Sequence, residues 1–488
     1  MLFNSIMFLV FFFILVVVYY ALPQKLKWPI LLIASIFFYL CWTPAHILVL
    51  LAITAISFFA GWLVHNGKDK GKSKKIILAI SVVLSFSFLF TYKYLDFFAS
   101  SFYSVLELLS VPCSEGTINL LLPVGISFFS FKAVSYIVDS YRGKILEKNF
   151  LKYLLYVSFF PQVSSGPIER STNLIPEFTK EHKLDTRNIQ EGCYLILFGY
   201  FKKMVVADNI SSIVSKVFDD PGNYNSLVLI GMAVVYSIQI LCDFSGYSDI
   251  AIGCAKILGI NTQKNFNHPY FSTSIAAFWR NWHISLSSWF RDYLYIPLGG
   301  NRKGTARKYL NLTIVFLVSG LWHGAAWTFI FWGLLHAFYQ IFGALTSKPR
   351  EKLASLIRLN KHEKIHKIIN VVTTFCLVTF AWIFFRAETI LGGFEYVKAI
   401  IVNVGGIFSM SGIIAQAKLV FTEKTILFSF FIAIISFIIY SFVDYKLNVY
   451  EFIKKRHAVI KIIFYALAIV FIVLFASTSV ADFIYARF

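Results

Sequence analysis

Apolar residues fall in long runs along most of this chain, separated by short polar and basic loops. Nine runs stand out: Phe8–Leu22, Trp28–Trp42, Ile47–Val64, Ile76–Phe90, Val228–Ile240, Phe329–Phe342, Ile368–Phe385, Ile426–Phe442 and Ile460–Ala476. A bilayer-spanning helix needs about 20 mostly apolar residues, and each run supplies that length or most of it. The pattern predicts an all-α polytopic membrane protein, with no room between the runs for a large soluble domain. The opening "MLFNSIMF" has no basic residue, and no small-x-small site precedes "PQKLKW". The first run therefore reads as a transmembrane helix rather than a signal peptide.

Some segments resist this simple reading. "SFFPQVSSGPIER" (Ser158–Arg170) carries two prolines and a glycine in an apolar neighbourhood. "SIAAFWRNWHISLSSWFRDYLYIPLGGNR" (Ser274–Arg302) mixes aromatics with arginines. Broken backbone and charge are tolerated at membrane depth only inside protein or along a watery cavity, so both are expected to be buried or re-entrant. Gly392–Lys424 is the least regular stretch and reads as amphipathic helices at the outer interface. No repeat of fixed period and no clean domain boundary is visible. The expectation is a single integral-membrane domain over 1–488, with N-terminal helices in 1–110, a core in 121–390 and C-terminal interfacial and transmembrane helices in 391–488.

Charge orients the runs. Lys and Arg gather in "KLK" (Lys25–Lys27), "HNGKDKGKSKK" (His65–Lys75), "YRGKILEKNFLK" (Tyr141–Lys152), "KPREKLASLIRLNKHEKIHK" (Lys348–Lys367) and "KLNVYEFIKKRH" (Lys446–His457). The positive-inside rule makes these cytoplasmic. Both termini, including the final "YARF", then fall outside.

Composition adds two exclusions. Charged residues make up 14% of the 488 and apolar ones 58%, where a soluble domain carries roughly 25% charge. The formal net charge is +20, but the basic residues sit in short loops and no basic domain exists to hold nucleic acid. The six cysteines (Cys41, Cys113, Cys193, Cys242, Cys254 and Cys376) are scattered with no C-x-x-C. They read as small buried apolar residues rather than a disulfide frame or a metal site.

Four polar islands interrupt the apolar part. One holds Lys132 and Asp139, and a second holds Asp243 and Asp249 around a serine–glycine break. A third supplies Arg280, Asn281, His283, Arg291 and Asp292, and the fourth, "GLWHGAAWTFIFWGLLHAF", contains His323 and His336. Intramembrane ionisable groups are costly and usually pair or line a functional path. The plain reading of Asp243 and Asp249 is a tie between helices or a pair with an arginine. Arg291–Asp292 reads as a structural ion pair, and His336 as a packing or supporting residue. His323 is sharper: Gly324 beside it permits close approach of another backbone or a ligand, and a neutral imidazole in a low-dielectric site serves as a general base near neutral pH. Packing alone is the rival reading for it. "HEKIH" (His362–His366) matches the zinc-protease pattern H-E-x-x-H. Lys361, Lys364 and Lys367 crowd it and disfavour a dication by Coulomb repulsion, so no metal site is expected.

Taken in order, the islands resemble the membrane-bound O-acyltransferase superfamily, in its bacterial alginate O-acetyltransferase branch. The resemblance runs through "PVGISFFSFKAVSYIVDSYRG", "FFPQVSSGPIER", "DFSGYSDIAIG", "NFNHPYFSTSIAAFWRNWHISLSSWFRDYLYIPLGGNR" and "LVSGLWHGAAWTFIFWGLLHA" to "FAWIFFRAET". It implies a bowl of about 11–12 transmembrane helices plus re-entrant segments, of membrane-spanning length, around a central tunnel. It also implies that His323 is catalytic and that His283 is the second characteristic polar position, which is asparagine in many eukaryotic relatives. Asn281, Trp322, Asp243 and His336 would support them, and Arg280 and Arg302 would attract coenzyme phosphates.

The function implied is transfer of an acetyl group from cytoplasmic acetyl-coenzyme A toward hydroxyls of an extracytoplasmic polysaccharide. Acetyl-coenzyme A would be a co-substrate, with no permanently bound cofactor. A partner acetyltransferase outside a bacterial cytoplasmic membrane would complete the transfer. The D-alanyl-transferring branch shares the "WFRDY" region, while "YIPLGGNR" and the longer C-terminal part point to acetyl. A transporter or channel, with polar groups along its path, and a secretion-complex scaffold are the competing classes.

Overall fold

The computed structural model describes residues 1–42, 44–66, 72–111, 116 and 118–477, which are helical with no β-strand among them. All nine apolar runs lie in helices. The expected outside position of "YARF" concerns residues beyond those described, as does Cys113.

One compact unit comprises Met1–Ile196 and Ser248–Gln263. Helix α1 (Ile6–Ala21) starts where the Ser5 hydroxyl accepts the Phe8 N–H at 3.2 Å, an N-cap that satisfies an orphan donor. Helices α2 (Gln24–Leu40), α3 (Ile47–Asn66) and α4 (Lys72–Leu89) follow, and α4 continues through a π turn into a helix ending at Leu108. Helix α5 (Ile126–Tyr141) is buried along nearly its whole length and packs near α6 (Phe150–Ser158). Its charges are held as buried charges must be. Lys132 donates to Gln162 at 3.2 Å and lies 4.7 Å from the Tyr156 ring, while Asp139 takes Lys144 at 3.1 Å.

The proline-rich Ser158–Arg170 segment behaves as its composition predicts. After α6 only one helical turn, Phe160–Val163, interrupts an otherwise non-helical path, and every residue but the half-buried Ser164 is buried. Protein groups replace the missing helical bonds: Ser35 Oγ accepts the Phe160 N–H at 3.1 Å, and the Tyr156 hydroxyl donates to the Glu169 carbonyl at 3.0 Å.

The second unit comprises Leu197–Tyr247 and Lys264–Phe488. It contains α7 (Ser226–Ile257) up to Tyr247, the short helices α8 (Ile275–Asn281) and α9 (Ile284–Phe290), then α10 (Thr305–His323) and α11 (Trp327–Leu345). Helices α12 (Glu363–Arg386), α13 (Lys424–Leu447) and α14 (Ala458–Phe475) complete it. Gly392–Lys424, where interfacial helices were expected, is helical over most of its length. Two helices, Ile390–Val402 and Met410–Val420, are started by Thr389 and Ser409, whose hydroxyls accept N–H groups at 2.9 and 3.1 Å.

Among the described residues, seven helical stretches are long and apolar enough to cross a membrane: Pro44–Asn66, Lys72–Leu108, α7, α11, α12, α13 and α14. No residue of α14 is buried although the helix is apolar at every position but Lys461, near its start, a surface suited to hydrocarbon rather than water. The same physics corrects the reading of the cysteines. Cys242 and Cys254 are buried, but Cys41, Cys193 and Cys376 are exposed. In lipid, an apolar run turns part of its circumference outward, so apolar surroundings in sequence do not imply burial.

Candidate active site

The core of the second unit is aromatic. Trp282, Trp332 and Trp382 are fully buried, with Trp382 5.1 Å from Trp282 and stacked at 5.5 Å on Trp332. The Trp382 N–H donates to the Tyr270 hydroxyl at 3.2 Å, which donates to the Ser237 carbonyl at 2.6 Å. This polar thread ties α12 to α7 beneath the site.

His283 sits at the break between α8 and α9. Its backbone is left-handed, φ +44° and ψ +54°, which is unusual for a residue with a Cβ and costs of order 1–3 kcal/mol. The preceding loop holds it there. The Asn265 carbonyl accepts the Ile284 N–H at 2.9 Å, and the Asn265 side chain accepts the Ser285 hydroxyl at 2.9 Å. Asn267 N–H donates to the Asn281 carbonyl at 3.0 Å, so the break is clamped on both sides of His283. The imidazole is fully buried, 4.6 Å from the Phe244 ring and 5.7 Å from Trp322.

His323 is the last residue of α10. The helix stops because Gly324 turns to extended backbone, and α11 begins at Trp327. Gly324 does what the sequence suggested, but the group that approaches it is a side chain. A Cβ at this position would lie 2.1 Å from the Phe329 ring. Gly320, one turn earlier, leaves room for the Phe329 carbonyl, 2.3 Å from where its Cβ would be. The α10–α11 hairpin is thus drawn tight around His323, which is buried with rings of Trp322 and Trp332 at 5.0 Å and Phe385 at 5.6 Å.

The aromatic contacts join three imidazoles. Trp322 touches His283 and His323; Trp332 touches His323 and His336, each at 5.0 Å. Trp279 donates its indole N–H to His336 Nδ1 at 3.2 Å. An indole N–H only donates, so Nδ1 is the acceptor and the proton of this neutral ring lies on Nε2.

The remaining expected residues have their own partners or face solvent. The Asn281 amide donates to Ser272 Oγ and the Ala277 carbonyl, both at 3.1 Å, and so faces its own loop. Arg280 and Arg302 are exposed. Arg291 and Asp292 pair at 2.8 Å at the surface. Asp243 forms the expected buried ion pair, but with a lysine. Lys203 reaches Asp243 at 2.6 Å and Asp208 at 2.8 Å, with all three side chains at most 3% exposed. Lys203 and Asp208 escaped sequence reasoning. The signal was available in "FKKMVVADN", where three charges, Lys202, Lys203 and Asp208, interrupt an apolar stretch; a π-helical segment, Phe201–Ala207, sets their register. Asp243 precedes Phe244, which packs on His283. His362, Glu363 and the two lysines flanking Glu363 are exposed at the start of α12.

A cavity of about 170 Å³ lies between α8, α9 and α10. Trp279 and Phe316 line it, and both rings also touch His336. Its polar lining comes from Ser287, Arg291, Tyr295, Ser319 and Gln340, with Ser319 one helical turn before His323.

Residues 31–387 match the model of the membrane-bound O-acyltransferase family. The chain is 36% identical over 395 residues to the probable alginate O-acetylase AlgI of Azotobacter vinelandii, covering 80% of this chain and 76% of that protein. It is 33% identical over 415 residues to the peptidoglycan O-acetyltransferase of Helicobacter pylori, covering 78% and 76%. Identity to the teichoic acid D-alanyltransferase of Bacillus subtilis is 31% over 286 residues, covering 55% and 70%. Buried histidines on a tight helical hairpin, membrane-spanning helices and these likenesses agree: the chain belongs to the membrane-bound O-acyltransferase family and is an O-acyltransferase.

Proposed function

We propose that this protein transfers an acetyl group from acetyl-coenzyme A toward hydroxyls of an extracytoplasmic polysaccharide, with His323 as general base. The observation that carries the reading is His323 itself, buried at the end of α10 and joined through Trp322 to the strained His283. The acceptor oxygen attacks the thioester carbonyl carbon while His323 takes the hydroxyl proton. The carbon–sulfur bond breaks, and the proton passes to the departing thiolate, leaving free coenzyme A and an acetyl ester. General-base catalysis of this kind is worth about 10²–10⁴-fold. His283 holds the aromatic column in register and positions His323. The cavity beside Ser319 and Trp279 is the space best placed to admit the thioester arm, with the Arg291–Asp292 ion pair at its edge.

Acetyl is favoured over D-alanyl because the likeness to acetylating relatives spans 80% of the chain, against 55% for the D-alanyltransferase. The positive loops orient the protein in a bacterial cytoplasmic membrane with the thioester side inward, and a separate extracytoplasmic acetyltransferase receives the group. The test is release of free coenzyme A from radiolabelled acetyl-coenzyme A by purified protein in vesicles supplied with the hydroxyl acceptor. Wild type should release it and His323→Ala should not; equal release by both would remove His323 from the chemistry. Turnover of a D-alanyl thioester in place of acetyl would move the protein to the other branch.

A further inference from the structure

The C-terminal helices form a second cavity, of about 370 Å³, remote in sequence from the histidines. One wall is α13, where Ser436, Ile439, Tyr440 and Val443 recur at the spacing of one helical face. Another is α14, through Phe464, Ala468 and Phe471. The floor is Phe198 and Phe201; Phe198 stacks on Tyr440 at 4.8 Å and on Phe464 at 6.2 Å. Two of the three walls lie beyond residue 387, where the family match ends.

The groove makes almost no hydrogen-bonding demand. The Ser436 hydroxyl is already bonded to the Ala433 carbonyl at 3.2 Å, and apart from the Tyr440 phenol the remaining lining is hydrocarbon and aromatic ring. A sugar or peptide backbone would lose its hydration here without compensation. An alkyl chain would not.

One end of the groove is basic. Helices α13 and α14 run antiparallel: Phe428 meets Phe475 at one end, and Tyr440 and Phe464 share Phe198 toward the other. At this second end each apolar stripe continues into a lysine. Lys446 follows Val443 by three residues, with its ammonium 5.9 Å from the Phe442 ring, and Lys461 precedes Phe464 by three, so each stands one turn beyond the groove-lining stripe of its helix. Lys202, next to Phe201, places its ammonium 5.7 Å from the Tyr440 ring. Lys455 and Arg456, both exposed, stand in the connection between the helices. The acidic groups nearby are engaged: Glu451 pairs with Lys454 at 3.2 Å, and Asp444 caps the Val449 N–H at 2.9 Å and meets His268 at 3.5 Å.

An uncharged alkyl slot ending in a ring of cations is the complement of one ligand class. We propose that this groove binds an anionic phospholipid, with an acyl chain between α13 and α14 and its phosphate at Lys202, Lys446 and Lys461. Basic clusters beside membrane helices attract anionic headgroups in this way. The site is independent of the acyl group the enzyme transfers.

The experiment uses the full chain in neutral detergent, titrated with phosphatidylglycerol or phosphatidylcholine of the same chains and followed by native mass spectrometry and thermal unfolding. Phosphatidylglycerol should bind and raise Tm, and phosphatidylcholine should not. The double variant Lys446→Ser/Lys461→Ser, which changes only surface side chains, should weaken phosphatidylglycerol about tenfold or more. Ala468→Trp, which fills the slot, should abolish the Tm rise. Equal binding of both lipids overturns the proposal, as does unchanged phosphatidylglycerol binding in the double variant. A second copy of the chain or another protein found seated on α13 and α14 in place of lipid overturns it as well.

Discussion

Trp279 donates its indole N–H to Nδ1 of the fully buried His336 at 3.2 Å, and this one bond decides which nitrogen of that imidazole carries the proton. The same Trp279 ring lines the cavity next to the site. Trp279→Phe keeps an aromatic ring against its neighbours but leaves Nδ1 without its donor. We expect a loss of about 1 kcal/mol in stability. Thermal unfolding of the purified variant measures it, and an unchanged Tm would show that the bond does not hold His336.

His323→Ala should lower the rate of coenzyme A release by about 10²–10⁴-fold. The protein should still fold, because the ring removed is bounded by aromatic rings of three other residues. Size-exclusion behaviour with the activity assay separates loss of chemistry from loss of fold.

His283 occupies a left-handed backbone that asparagine tolerates far better than β-branched residues do. His283→Asn should therefore fold normally, with activity reduced by up to about 10²–10³-fold. His283→Val should lose stability as well, since a β-branched side chain resists that φ. Similar melting of the two variants would show that the backbone conformation is not the constraint.

Lys203 neutralises two buried carboxylates, Asp208 and Asp243. Lys203→Met strands both and should cost about 3–5 kcal/mol. Lys203→Arg keeps the charge and should cost less. Folded yield in membranes and Tm report the difference; equal behaviour of the two variants would make the lysine's size, not its charge, the important property.

Gly324→Ala introduces a methyl 2.1 Å from the Phe329 ring. Overpacking of this kind costs about 1–3 kcal/mol. Because the backbone there is ordinary and extended, Gly324→Ala combined with Phe329→Leu should recover part of the loss, which a double-mutant cycle in Tm would detect.

The run lengths alone determined that this is an all-helical membrane protein, because lipid demands about 20 apolar residues per crossing whatever the partner helices are. All nine apolar runs are helical, and the broken Ser158–Arg170 segment is enclosed by protein for the reason its prolines imply. The ordered motifs also marked His323 and His283 as the residues to examine. Tertiary structure decided what they touch. The Trp322–His283 contact, the tautomer of His336 and the Lys203–Asp243 pair join residues about 40 or more positions apart, and helical periodicity carries no information about which faces will meet. It also decided which apolar residues are buried. In a bilayer both the core and the outer surface are apolar, so Cys376 and Cys254 look alike in sequence, and only packing places the first outside and the second within.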